Sequence, residues 1–189
     1  MGKAPDYRAI FSRLVEDPRY QTNLEWGKPR PGHPEGIIRA HIAELETNLQ
    51  YLHRRLSDEA YWKLKLLIHA HDTFKPQSRP EISISHPKSH ASLARAFLSE
   101  YCDDPDLLAI VQYHDVPFAL YRQFESKRRF DQDRLNTLLS AIRDWELFLA
   151  FLIIDGGTAG KPPGPLQWFF ARIRGRVSSQ FTGADILAR

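Results

Sequence analysis

Leu66-Leu-Ile-His-Ala-His-Asp-Thr-Phe-Lys75 is the stretch on which the reading of this chain turns. An apolar run that suits only a core ends abruptly in a histidine and an aspartate, side by side. A neutral imidazole next to a carboxylate at the end of a buried segment is costly unless something pairs with both. A divalent metal is the commonest such partner. Leu64, Leu67, Ile68 and His71 recur at i, i+3, i+4 and i+7, the period of an amphipathic helix. His71 therefore faces the core, and His69 is expected to point away from it. Ser57 suits the N-cap of this helix, with Asp58 and Glu59 favourable in its first turn.

The same period recurs on both sides. Residues 5–16 read as a short amphipathic helix opened by Pro5, and residues 17–32, rich in proline and glycine, as an irregular connection. A long helix is expected from Pro34 to about Leu56, with His41 on its apolar stripe between Ile37 and Leu45 and His53 at the surface. Residues 74–88 are loop-like and hold His86; Glu81–Ser85 alternates but is too short and isolated to be a strand. Ser89 caps a helix that carries His90 on the face of Leu93, Ala94 and Phe97. Asp104-Pro105 opens another, in which Leu107, Ile110, Val111 and His114 repeat the spacing, limited by Pro117. Residues 131–155 read as one long helix whose apolar face ends in Asp155. A last helix, Pro165 to Arg176, turns Trp168, Phe169 and Ile173 inward and its arginines outward. The fold expected is all-α, a single compact helical bundle.

The bulk composition fits an ordinary soluble globular chain, 42% hydrophobic and 26% charged, of a length that suits one domain. A single cysteine, Cys102, excludes an intramolecular disulfide and any multi-cysteine metal site. The longest apolar run, Leu147 to Ile154, is too short for a bilayer, and Met-Gly-Lys-Ala-Pro-Asp lacks a signal peptide's apolar core, so a cytoplasmic protein with no membrane partner is expected. Residues 161–189 carry five basic residues against Asp185, +4 of the chain's net +3, leaving −1 for the rest. No nucleic-acid motif accompanies this basic segment, so a solvated helix face is the favoured reading over nucleic-acid binding.

Five expected helices thus put ionisable residues on otherwise apolar faces: His41, the pair His71-Asp72, His90, His114 and Asp155. Any one alone is more often a satisfied core residue. Together, four histidines and two aspartates are the ligand set of a non-thiolate transition-metal centre, in which an aspartate can bridge two ions.

In this order the residues resemble the HD-domain superfamily, all-α metal-dependent hydrolases with the pattern H…HD…D. Here the pattern is His41, His71-Asp72 and Asp155, and Asp72-Thr-Phe-Lys75 is similar to the usual H-D-x-G-K run, with Phe74 a departure from the small residue. His33-Pro-Glu-Gly36, separated from His41 by four residues, is similar to the opening of HD domains in some tRNA nucleotidyltransferases and favours His41 over His33 as first ligand. His90 and His114 resemble the extra histidines of the binuclear branch, which includes cyclic-dinucleotide phosphodiesterases and mixed-valent di-iron oxygenases; the Gly-Tyr-Pro signature of the former is absent. The resemblance covers residues 31–160, with 1–30 as an N-terminal helix and connection and 161–189 as a basic helix and tail packed on the same domain.

What the resemblance implies is one or two divalent transition ions (Fe, Mn, Co, Ni or Zn). His41, His71, Asp72 and Asp155 would hold the first, and Asp72 would bridge to a second at His90 and His114. With one ion only, those two histidines would contact substrate. Metal-activated water would attack a phosphorus atom of a small phosphorylated substrate, making His71 and Asp72 the catalytic centre. Lys75, ranked first, with Lys161 and Arg122, are candidates for anion recognition, each with the alternative of an ordinary surface charge. His33 and Glu35 either serve proton transfer near the first ligand or mark a helix start. Asp115 either orients His114 from behind or faces solvent. Gly156–Lys161 is not a Walker loop, because the glycine-to-lysine spacing is wrong and no Ser or Thr follows. The function expected is hydrolysis of a nucleotide or other small phosphate ester. A di-iron oxygenase and a non-catalytic ligand-sensing module stand as alternatives on the same scaffold, and a homodimer stays open.

Overall fold

The computed structural model describes residues 5–80 and 82–187. They form helices α1 (Tyr7–Val15), α2 (Pro18–Asn23), α3 (Ile38–Leu52), α4 (Asp58–Ala70), α5 (His90–Ser99), α6 (Pro105–Tyr113), α7 (Val116–Lys127), α8 (Gln132–Ala141), α9 (Trp145–Gly156) and α10 (Gly164–Ile173). The fold is all-α: among the described residues no strand forms, only two isolated bridges, Gly27 with Ile37 and Arg30 with His33. Most helices begin where an acidic or hydroxyl side chain takes up a free backbone N–H of the first turn. Asp6, Asp17, Ser57, Ser89, Asp104, Asp131 and Asp144 all cap in this way.

Two helices organise the rest. Trp145 to Ile154 of α9 is buried on nearly every side, as expected of a helix apolar all round. Helix α4 packs against α1, α3, α5, α6 and α9, so its C-terminal end, where His71 and Asp72 sit, lies among the other helices. One contiguous apolar core runs from Tyr7 to Phe181.

The structure corrects several sequence expectations. Asp6, not Pro5, caps α1. The stretch read as irregular contains α2, built by Asp17 at the cap and Pro18 at the first position. Pro34 does not open a helix; α3 starts at Ile38, after a turn in which Gly27 (φ 128°) and Gly36 (φ 80°) approach closely. Residues 131–155 are two helices, because Asp144 accepts from the Leu147 amide and starts a new one. Helix α6 does end before Pro117, at Tyr113, and Pro117 itself lies in the first turn of α7. Trp168 is only half-buried, against Tyr121, Phe124 and Phe130. Residues 82–85 form no strand, and Glu81 lies outside the described residues.

Candidate metal centre

The site is assembled from helix ends. A helix leaves its last carbonyls without intrahelical donors, and here imidazoles use them. His71, the C-cap of α4, donates from Nδ1 to the carbonyls of Ile68 (3.0 Å) and Leu67 (3.2 Å). His114, the C-cap of α6, donates from Nδ1 to the carbonyl of Val111 (2.8 Å). Each bond assigns the proton to Nδ1 and leaves the Nε2 lone pair free to point inward.

Those lone pairs converge on Asp72. Its Oδ2 lies 3.5 Å from His71 Nε2 and 3.9 Å from His41 Nε2, while its Oδ1 lies 3.9 Å from His114 Nε2. One carboxylate therefore faces two groups of nitrogens with two different oxygens. Asp155 Oδ1 completes the first group at 3.2 Å from His41 Nε2 and 3.9 Å from His71 Nε2. His90 completes the second, its Nε2 3.4 Å from His114 Nε2. The ligand atoms of His41, His71 and Asp72 lie within 4.8 Å of one another, as do those of Asp72, His90 and His114 and those of His33, Glu35 and His41. His71 Nε2 makes no hydrogen bond although its ring is buried, and the buried nitrogens of His41 meet only carboxylates, Glu35 at 3.0 Å and Asp155 at 3.2 Å, without hydrogen-bond geometry. Buried polar atoms without partners are rare in folded proteins. Imidazole nitrogens left open toward a carboxylate are the donor set that a divalent transition ion takes, so the residues fit such an ion.

Around this pair of groups stand the other candidates. Glu35 Oε1 lies 2.9 Å from His33 Nδ1 and 3.0 Å from His41 Nδ1, so it backs the ring of His41 rather than starting a helix. Asp115 does not sit behind His114. It meets the inward edge of both rings, 3.1 Å from His90 Nε2 and 3.7 Å from His114 Nε2, where a ligand would stand. Lys75 is bonded to Asp72 Oδ2, and Lys161 Nζ lies 2.7 Å from Asp155 Oδ1 and 3.1 Å from the Asp155 carbonyl. A carboxylate at the C-terminal end of α9 opposes the helix dipole, and the Lys161 ammonium offsets this. Burial disfavours the charged form of Asp72, yet Lys75 and then His71 hold its carboxyl well below the usual range. Burial likewise opposes a charge on His41, but Asp155 and Glu35 raise its pKa to about 9. Burial lowers His114 to about 4 against the pull of Asp115, in keeping with a neutral ligand.

His71, Asp72, His114 and Asp155 of the cluster line a cavity of about 290 Å³. Lys75, Lys161 and Arg122 contribute cations to its wall, and Phe118, Pro117, Leu152 and Leu166 apolar surface. Arg122 stacks on exposed Phe118 at 4.9 Å, and among the described residues no carboxylate pairs with its guanidinium.

His69 departs from expectation. It is buried, not outward: Tyr20 donates to its Nδ1 (2.6 Å), its Nε2 donates to Glu46 (2.7 Å), and Lys65 bonds the same carboxylate. The cause is α2, whose Tyr20 covers the face that helical phase assigns to solvent. Two further positioning residues escaped the sequence reading. Asn48 donates to the Ile154 carbonyl (2.8 Å) and Glu44 accepts from the Ala159 amide (2.9 Å), tying α3 to the end of α9. Their signal was present, since they follow His41 by three and seven residues on one face of α3.

No family model, curated protein or solved structure matches the chain. The helical fold and a buried His/Asp cluster able to hold metal are compatible with an HD-type protein, and that compatibility rests on geometry alone.

Proposed function

We propose that this chain is an HD-type metal-dependent phosphohydrolase acting on a nucleotide or another small phosphate ester. The observation that supports it most is the buried Nε2 of His71, which makes no hydrogen bond and with that of His41 faces one oxygen of Asp72 whose other oxygen faces His114. His41, His71, Asp72 and Asp155 would hold one ion, and Asp72, His90 and His114 a second, with Asp115 placed to join it. An ion bound there supplies Lewis acidity and a water whose pKa falls toward neutrality. The protein's own residues prepare the remainder. The carbonyls of Leu67, Ile68 and Val111 fix the tautomers of His71 and His114, and Glu35 braces His41 and His33 together. His33, on the cavity wall, is placed to pass a proton to a departing oxygen. Arg122 is free to take a phosphoryl oxygen, with Phe118 beside it for an apolar or planar group. A cavity of about 290 Å³ stands at the small end of ligand sites, which suits a compact substrate.

The test is direct. Purified protein is stripped with chelator, reloaded separately with Mn, Co, Ni, Fe or Zn, and assayed against a panel of nucleotides and an aryl phosphate. Phosphate release that depends on the added ion is expected; bound metal without turnover on any substrate would overturn the reading. The arrangement of four histidines in two groups around Asp72 equally suits a di-iron oxygenase. Iron as the native metal, with oxygen-dependent loss of substrate, would favour that second reading.

A further inference from the structure

The oxygens that face the imidazole nitrogens are already taken. Asp72 Oδ2, the atom nearest His71 Nε2, is bonded by Lys75, and Asp155 Oδ1, the atom nearest His41 Nε2, is bonded by Lys161 at 2.7 Å. An ion entering the first group needs these same two oxygens. The ionisable groups lining the cavity, histidines aside, are three carboxylates (Asp72, Asp115, Asp155) and three cations (Lys75, Lys161, Arg122). Metal-free, these six charges cancel. One divalent ion raises the balance to +2 and two raise it to +4. It also weakens the hold of the carboxylates on the two ammonium groups. Both lysines line the cavity on flexible four-carbon stems, so a released ammonium can turn into it without moving a helix.

Resting on the metal-centre reading above, we infer that Lys75 and Lys161 are built-in stand-ins for the metal: they hold the ligand carboxylates until an ion displaces them, and then bind the substrate's anionic group. Metal and anion are thereby coupled, each tightening the other by the same factor. The lysines oppose metal binding alone and support anion binding after it, two effects of opposite sign from one side chain.

The experiment uses the full chain and the variants Lys75→Met and Lys161→Met, each checked for its helical circular dichroism. Mn(II) affinity is measured without phosphate, and inorganic phosphate affinity with and without saturating Mn(II). Each folded variant is expected to bind Mn(II) about tenfold tighter than wild type, the scale of one hydrogen bond to a charged group. Its Mn-loaded form is expected to bind phosphate about tenfold more weakly. Wild type is expected to bind phosphate only with Mn(II) present. Variants that bind Mn(II) equally or more weakly, or phosphate binding that ignores the ion, overturn the inference and leave the metal centre standing. A wild-type protein that binds no divalent ion removes both.

Discussion

His69 and His71 lie two residues apart at the end of α4, both buried, and their hydrogen bonding differs in a way that a pair of substitutions separates. His69 is satisfied at both ring nitrogens, by Tyr20 and Glu46. Replacing it with Ala strands the buried Tyr20 hydroxyl and opens a gap beside Phe11, whose ring meets the imidazole edge-on at 4.8 Å. The cost is about 2–4 kcal/mol from the lost hydrogen bonds and the cavity. At about 2–4 °C per kcal/mol for a chain of this size, that is on the order of 10 °C in Tm. His71 is satisfied only at Nδ1. Its removal deletes an unpartnered buried nitrogen, so the metal-free protein loses less, but the first group of ligands loses a member. An ion at 100 times its Kd stabilises the folded state by about 2.7 kcal/mol. That converts to roughly 5–11 °C for wild type. Thermal melts of chelator-stripped protein, with and without Mn(II), read both effects. His69→Ala is expected to melt lower yet keep the manganese shift, and His71→Ala to lose most of it. A His71→Ala protein that keeps the full shift, or a wild type with none, refutes the reasoning.

Three other outcomes follow from the same geometry. Gly27→Ala forces φ 128° on a residue with a Cβ, which would stand 2.3 Å from the Gly36 carbonyl oxygen; a loss of at least about 1–3 kcal/mol is expected in the denaturant midpoint. Arg122→Ala, removing the cavity cation without a carboxylate partner, is expected to raise KM for a phosphorylated substrate about tenfold or more while Mn(II) affinity stays unchanged. An Arg122→Ala protein with normal KM would move anion recognition elsewhere. Asp104 caps α6 and takes hydrogen bonds from Tyr7 (2.7 Å) and Lys63 (3.0 Å). Against burial, these partners hold its carboxyl below the usual range. Its contribution is thus complete above the unfolded aspartate value of about 3.9 and is lost as pH falls through the lower folded one. Asp104→Asn should therefore cost stability at neutral pH and flatten the acid limb of the unfolding curve; parallel limbs for the two proteins would contradict this.

What the sequence disclosed about the site, and what it withheld, follow from one assumption about helices. Phase along a single helix identifies residues that share a face, and it brought His41, His71 with Asp72, His90, His114 and Asp155 to the same point. The structure brings these residues together, with His90 at the first turn of α5. The same logic failed for His69 because it allows each helix one buried face. Helix α4 is covered from several sides, and its cover includes a six-residue helix in a stretch that proline and glycine made look irregular. Asp17 followed by Pro18 was the overlooked signal, and Asp144 before Trp145 was its counterpart in the segment read as one helix. Lys75 and Lys161, candidates for anion recognition with the alternative of surface charges, pose a different ambiguity. A lysine one turn from a carboxylate can point to a substrate or to that carboxylate, and spacing cannot separate the two. Without an ion, both ammonium groups rest on the carboxylates, Lys75 on Asp72 and Lys161 on Asp155. Asp115 is a third case. Adjacent to His114 in sequence, it was expected either behind the ring or facing solvent, but the α6–α7 turn brings it round to the inward edge of both His90 and His114. The second group therefore has an acidic neighbour that the motif pattern does not include. That extra carboxylate faces His90 and His114 directly, so the second group has two aspartates within reach where the motif supplies one.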